Sequence, residues 1–317
     1  MPLLSKPLGR PVAAFVAPFS SISCLGQSAR ELSYLPSAPY SPIKRASPLS
    51  TFPPGSAHRF LSHRAMSTAS GNDSSVAAVS LIQANLEAVR QCVANVTTEV
   101  DNGGPAPRLV AVSKTKPLGD LIAAYEAGQR IFGENYAQEL IEKAPAMPAD
   151  VLWHFIGHLQ SNKARALLEG VPNLSVLETL DSIKLANKLQ ACTCESIGRS
   201  IPLGVYIQVD SSGEASKSGV GHEDLDAILA LARHLREKCP MLELRGIMTI
   251  GAPGDLDCFD RLAACRALVA AGLEVEEGSL ELSMGMSGDF EEAIRKGSTN
   301  VRVGSTIFGA RYYPEKS

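Results

Sequence analysis

Eight short runs rich in Val, Ile and Leu, separated by longer stretches of helical periodicity, constrain this chain more than any other feature. They are LVAVS (109–113), IFGEN (131–135), LWHFIG (152–157), SVLETL (175–180), LGVYIQVD (203–210), LRGIMTIG (244–251), LELSMGM (280–286) and NVRVG (300–304). Helical patterns fit between them at 118–128, 137–143, 163–168, 182–189, 223–238 and 256–271, with a short seventh at 290–296. Strands that are nearly continuous in aliphatic residues and alternate with helices indicate a parallel sheet covered on both faces. Eight such units predict a closed (β/α)₈ TIM barrel, whose typical size is about 250 residues. An open, doubly wound sheet is the alternative. Ahead of the first strand, Val79, Ile82, Leu86, Val89 and Val93 recur at steps of three and four, which marks one face of an amphipathic helix. The chain stops soon after the eighth run, so this helix, at 76–97, is expected to stand beside the last strand in place of a full eighth helix.

Charge is distributed unevenly. Residues 1–65 hold seven Lys or Arg against the single acid Glu31, with 12 serines and half of the 20 prolines. That segment carries +6 and leaves −9 for the remainder of a chain whose net charge is −3. A basic, Ser-rich, acid-poor start reads as an organelle transit peptide, here residues 1–68, for a chloroplast or a mitochondrion. The other reading is a Pro-rich tail without a targeting role. Met66 offers an alternative start and a cytoplasmic form. The acidic remainder argues against a nucleic-acid surface, and no apolar run approaches the ~20 residues that span a bilayer. Seven scattered cysteines lack metal-ligand spacing and suit reduced, structural thiols.

In a TIM barrel, chemistry sits in the loops that follow the strands. Lys114, Asn135, His158, Lys217, Ser287 and Gly304–Thr306 collect there. Lys114 follows LVAVS directly. An amine continuing an apolar strand is costly to desolvate as a cation, and a neutral amine is the nucleophile of Schiff-base chemistry. Its alternative is a lysine that snorkels to water. In an extended segment Lys116 points the same way as Lys114. LSMGMSGDFEEAI and GSTNVRVGSTIFG put Gly285, Ser287 and Gly288, then Gly304, Ser305 and Thr306, after strands seven and eight, where barrels commonly hold phosphate. These turns face Lys114 across the mouth in this reading, or they are tight turns with Ser287 as a helix N-cap. Arg302, directed inward, could bond a pyridine nitrogen and leave the ring a poorer electron sink. Asn135 could offer its amide to a ligand oxygen. His154 packs beside Trp153, His158 lines the mouth, and Lys217 sits in a Gly/Ser-rich loop.

The segments AVSKTKP, FGENY, WHFIGHLQSNK, SGEASKSG, GIMTIG, LSMGMSGDFEEAI and GSTNVRVGSTIFGAR, in this order, resemble the pyridoxal phosphate homeostasis protein family. The likeness runs from about Val76 to Tyr313. It implies a single pyridoxal 5′-phosphate (PLP) barrel at 76–314, similar to the N-terminal domain of alanine racemase, with PLP as a Schiff base on Lys114. It further implies phosphate contacts from Ser287, Gly304, Ser305 and Thr306, Arg302 at the pyridine nitrogen, Asn135 at the ring side, and Met248 bordering the cofactor. The implied role is a PLP carrier, buffer and donor to apo PLP-dependent enzymes rather than a committed enzyme, expected as a monomer. The alternatives are a weak racemase of the alanine-racemase type and a Schiff-base aldolase without PLP. Two-base racemisation needs a second acid/base opposite the lysine, and the resemblance implies no racemase-type C-terminal β domain to supply one.

Overall fold

A computed structural model describes residues 71–100, 104–197, 199–213 and 218–310. The leader at 1–68 with Met66, Lys217 and Tyr313 lie outside the described residues. The eight expected strands all form: β1 (Arg108–Val112), β2 (Ile131–Glu134), β3 (Leu152–Phe155), β4 (Leu174–Leu180), β5 (Leu203–Asp210), β6 (Leu242–Met248), β7 (Glu281–Met286) and β8 (Asn300–Val303). All neighbouring pairs are parallel, and β8 pairs back onto β1, with Val110 opposite Arg302. That pairing closes the barrel and removes the open-sheet alternative. A two-residue pairing at Val220–Gly221 lies outside the ring, against the end of β5.

Helices follow the strands: α2 (Leu118–Glu126), α3 (Ala137–Lys143), α4 (Ala164–Gly170), α5 (Ile183–Ala191), α6 (Leu225–Lys238), α7 (Asp257–Leu273), α8 (Phe290–Arg295) and the single turn α9 (Ser305–Phe308). Side-chain oxygens of Ser182 and Asp224 cap α5 and α6 by accepting from Leu185 N and Ala227 N. The leading helix α1 (Gly71–Val100) buries Ile82, Leu86, Val89, Val93 and Val96. It packs against α2, α8 and α9, and Asn85 donates to Ile307 O at 3.1 Å. It therefore takes the place that a full eighth helix would hold, as the sequence predicts.

The outward strand residues, among them Ala111, Phe132, Trp153 and Leu177, build the main core beneath the helices. The interior differs from the branched apolar filling usual in such barrels. Val176, Tyr206 and Met248 form a small apolar cluster of their own there. Around them stand two hydrogen-bonded groups, Arg108 with Glu281 and Tyr206, and His154, Glu178, Ser283, Asn300 and Arg302. Register shifts fall between Trp153 and His154, Leu177 and Leu180, Val205 and Tyr206, and Ser283 and Met286, beside these inward polar residues. Bulges of that kind re-aim side chains. No described helix is long and apolar enough to cross a membrane.

Candidate functional site

Strand parity explains which residues reach the mouth. Arg108 points into the barrel, where it bonds Glu281 and Tyr206. Side chains alternate along a strand, so Val110, Val112 and the exit residue Lys114 share its side of β1. The same parity on β8 runs Asn300, Arg302, Gly304. Gly304 approaches β1 so closely that a Cβ there would stand 3.2 Å from Val112 O and 3.3 Å from Val112 Cβ. Lys114 is half-buried at the first residue of a turn. Its neighbour Thr115 has φ +61, a left-handed conformation unusual for a β-branched residue.

That turn corrects the expectation for Lys116. The chain is not extended there, and Lys116 Nζ instead donates to Phe308 O and Ala310 O, each at 2.7 Å. Lys116 thus ties the β1 exit to the segment after β8. The placement of the phosphate-type turns is corrected as well. They stand beside Lys114 rather than across the mouth, because β8 is the hydrogen-bonded neighbour of β1 and β7 follows next. Asn135 ends β2, the neighbour of β1 on its other side. The exits of four consecutive strands, β2, β1, β8 and β7, therefore carry Asn135, Lys114, Gly304–Thr306 and Ser287.

Ser287 Oγ accepts from Gly304 N at 3.0 Å and lies 3.5 Å from Thr306 N, while Thr306 Oγ1 donates to Ser287 O at 3.4 Å. Ser287 is not the N-cap of α8; Asp289 takes that position and accepts from Met286 N at 2.6 Å. The two turns make one cluster of hydroxyls and backbone N–H groups, with Ser305 and Thr306 exposed. Such a cluster suits an anion with several acceptor oxygens. Asn135 Oδ1 is buried and has no hydrogen-bond partner among the described residues. A buried amide oxygen in that condition is a place for a ligand donor. Gly157, at the exit of β3, leaves room for the backbone that carries this side chain, since a Cβ there would stand 1.9 Å from the Asn135 main-chain carbonyl oxygen. Gly157→Ala is expected to displace Asn135 and to destabilise by about 1–3 kcal/mol through overpacking. Denaturant unfolding of the variant, alongside its ligand affinity, checks both effects.

Arg302 is 4% exposed. Its guanidinium donates to Ser283 Oγ and to Thr249 O at 2.7 Å, and lies 3.7 Å from Glu178. Burial draws Arg302 below its ordinary pKa and Glu178 opposes that shift, yet guanidinium remains cationic in proteins. Glu178, fully buried, also accepts from His154, Ser283 and Asn300. Burial alone would raise the Glu178 carboxyl, but the hydrogen bond from His154, the charge of Arg302 and the hydrogen bond from Ser283 hold it below the usual range. Burial pulls His154 down despite Glu178. A carboxylate only accepts, so neutral His154 carries its proton on Nδ1 and donates to Glu178 at 2.6 Å. Met248, fully buried, pairs with Ser283 across β6 and β7 and so lies on the wall beside Arg302. His158 is exposed, 3.5 Å from Asp181 at the neighbouring strand exit.

Little in the sequence marks Glu178, Ser283, Asn300 and Thr249 beneath Arg302, or Glu134, Glu139 and Lys143 around the Lys114 turn. The i, i+4 spacing of Glu139 and Lys143 was the one visible signal for the second group. The donor set now assembled is an amine, a buried guanidinium, an amide and a hydroxyl/N–H cluster. It fits a phosphate-bearing aldehyde with a ring nitrogen. No described group of His, Cys, Asp and Glu is arranged to hold a metal ion.

A model of the family described as alanine racemase, N-terminal domain, matches residues 84–312. Over 221 residues the chain is 48% identical to the pyridoxal phosphate homeostasis protein of Mus musculus, covering 66% of this chain and 79% of the relative. The protein of the same name from Homo sapiens is 46% identical over 243 residues, covering 73% of this chain and 85% of its own length. Among solved structures, PipY of Synechococcus elongatus with PLP bound is 32% identical. It superposes with a TM-score of 0.58 over 72% of this chain and all of its own.

Proposed function

Because the chain belongs to the pyridoxal phosphate homeostasis protein family, we propose that it binds PLP reversibly on Lys114 and serves as a carrier and donor of the cofactor. The observation that carries this reading is the grouping of Asn135, Lys114, Gly304–Thr306 and Ser287 at four consecutive strand exits, with Arg302 buried beside them. When bound, PLP supplies an electrophilic aldehyde on an electron-withdrawing pyridine ring.

The chain's own groups divide the work of holding it. Lys114 offers the amine, a nucleophile in its neutral form. Ser287 and the N–H groups of Gly304 and Thr306 would receive the phosphate, with the Ser305 and Thr306 hydroxyls as further donors. Asn135 would find a partner for its buried Oδ1 at the side of the ring, and Met248 would border it. Arg302 would face the ring nitrogen. Held by Ser283, Thr249 O and Glu178 as a permanent cation, it would donate a hydrogen bond there without protonating the nitrogen. A ring treated in this way is a weaker electron sink, which suits storage better than turnover. We read the protein accordingly as a monomeric carrier without a committed catalytic activity. Residues 1–68 are read as an organelle-targeting leader on their charge bias, for a plastid or a mitochondrion, with Met66 starting a cytosolic form.

The test is transfer. PLP-loaded protein, freed of excess ligand, is mixed with an apo PLP-dependent enzyme and the return of that enzyme's activity is followed. Restoration at least matching an equal amount of free PLP supports the donor role. Retention of PLP with no restoration, or sustained conversion of an L-amino acid to its D-form, contradicts it.

A further inference from the structure

The covalent link at Lys114 can form and break only where the backbone presents the amine, so what fixes that backbone matters. Both neighbours of Lys114 are held by one buried charged cluster. Lys143, with 10% of its side chain exposed, has three ammonium donors and three acceptors: Ser113 O at 2.8 Å, Glu134 Oε1 at 2.8 Å and Glu139 Oε1 at 2.6 Å. Glu134, fully buried, also accepts from Ser113 Oγ at 2.7 Å. Glu139 Oε1 accepts from Thr115 N at 2.7 Å. The residue before Lys114 is thus bound through both its carbonyl and its hydroxyl. The residue after it is bound through its N–H, in the strained φ +61 conformation.

Buried ion clusters often do no better than break even against apolar packing. The return on this one is therefore sought in the conformation it enforces, and that conformation is the turn carrying Lys114. We infer that Lys143 and Glu139 are positioning residues for Lys114, fixing the backbone on both sides of it and so setting how firmly PLP is retained. This rests on the assignment of PLP to Lys114. Capture joins the Lys114 nitrogen to the aldehyde carbon with loss of one water, and release takes that water back. Neither direction consumes a further reactant. Lys143 and Glu139 do not take part in the bond. They hold the amine in register with the Ser287 and Gly304–Thr306 cluster, so that phosphate binding and covalent capture occur together.

The experiment compares Lys143→Met, Glu139→Ala and Glu139→Gln with the parent in two measurements. One is the rate at which PLP is lost to an excess of hydroxylamine. The other is affinity for pyridoxine 5′-phosphate, which has the same phosphate and ring but no aldehyde. Misplacing a reacting group by about 1 Å costs roughly 100-fold, so Lys143→Met and Glu139→Ala are expected to change PLP retention by 10- to 100-fold. Pyridoxine phosphate affinity is expected to stay at the parent value. Glu139→Gln keeps an oxygen for Thr115 N and should lie nearer the parent than Glu139→Ala. If Lys143→Met does not fold, the Glu139 pair carries the comparison. Parent-like PLP retention in the variants overturns the inference, as does an equal loss of both ligands, which would mark a purely structural role. A parent that takes up no borohydride-stable PLP overturns the underlying assignment and this inference together. A labelled parent with unaffected variants overturns this inference alone.

Discussion

Lys114→Ala is expected to abolish the visible absorbance that the parent protein develops with PLP, while leaving the barrel folded. The expected loss is complete because the absorbing species needs a covalent nitrogen on the aldehyde carbon, and the other polar groups of the site offer hydrogen bonds only. Stability should change little. The Lys114 side chain is half-buried at a turn, outside the hydrophobic core beneath the helices, so its truncation opens no core cavity. Weak binding through Ser287, Gly304–Thr306 and Arg302 should survive and be measurable with pyridoxine phosphate. Lys116→Ala is the useful contrast. It frees Phe308 O and Ala310 O from their shared donor and loosens the exit loop, but it leaves the absorbance. Spectra of the two variants against the parent check the prediction directly. A persistent band in Lys114→Ala, or its loss in Lys116→Ala alone, would reassign the anchor.

The second large effect lies inside the barrel. Glu178→Ala removes the carboxylate that accepts from His154, Ser283 and Asn300 and faces Arg302 at 3.7 Å. It leaves a buried guanidinium without its counter-charge. Breaking a buried pair in this way costs about 3–5 kcal/mol, to be read as a lower denaturation midpoint at unchanged slope. The pH dependence follows from the two depressed groups. The folded-state pKa of Glu178 lies below its unfolded value, so its contribution is full above the ordinary carboxylate range. That contribution is lost as pH falls through the range toward the depressed value. His154 is also depressed, by burial. The unfolded chain therefore takes up a proton that the folded chain refuses once pH drops below about 6.5, the ordinary imidazole value. Both shifts weaken the fold toward acid. Stability measured from pH 8 to pH 4 should fall in the parent, and Glu178→Ala should flatten the carboxylate part of that fall.

The fold was legible because strand and helix differ in period. Each of the eight aliphatic runs became a strand within a few residues of its expected limits, as at 203–210, where the bounds coincide. The helix at 76–97 was readable from its face for the same reason. Lys114, Ser287 and Gly304–Thr306 were legible as strand-exit residues once the strands were placed. The polar interior was not. In a parallel sheet buried on both faces, inward and outward residues are equally apolar by sequence, so SVLETL does not reveal that Glu178 points in while Leu177 points out. Only closure of β8 onto β1 fixes that parity, and with it Arg302, Asn300 and Ser283 become neighbours of Glu178. The turn at Thr115 escaped for a different reason. Nothing about a threonine predicts a left-handed conformation, which depends here on Glu139 and Lys143 arriving from α3.

The covalent assignment to Lys114 supports both the carrier reading and the inference about its neighbours. It is tested most directly by loading the unmodified protein with PLP, reducing it with borohydride, and locating the added mass by peptide mapping. The label is expected on the peptide containing Lys114 and on no other lysine at comparable occupancy. A label on Lys116, Lys143 or Lys217 in its place, or no label at all, would contradict the account.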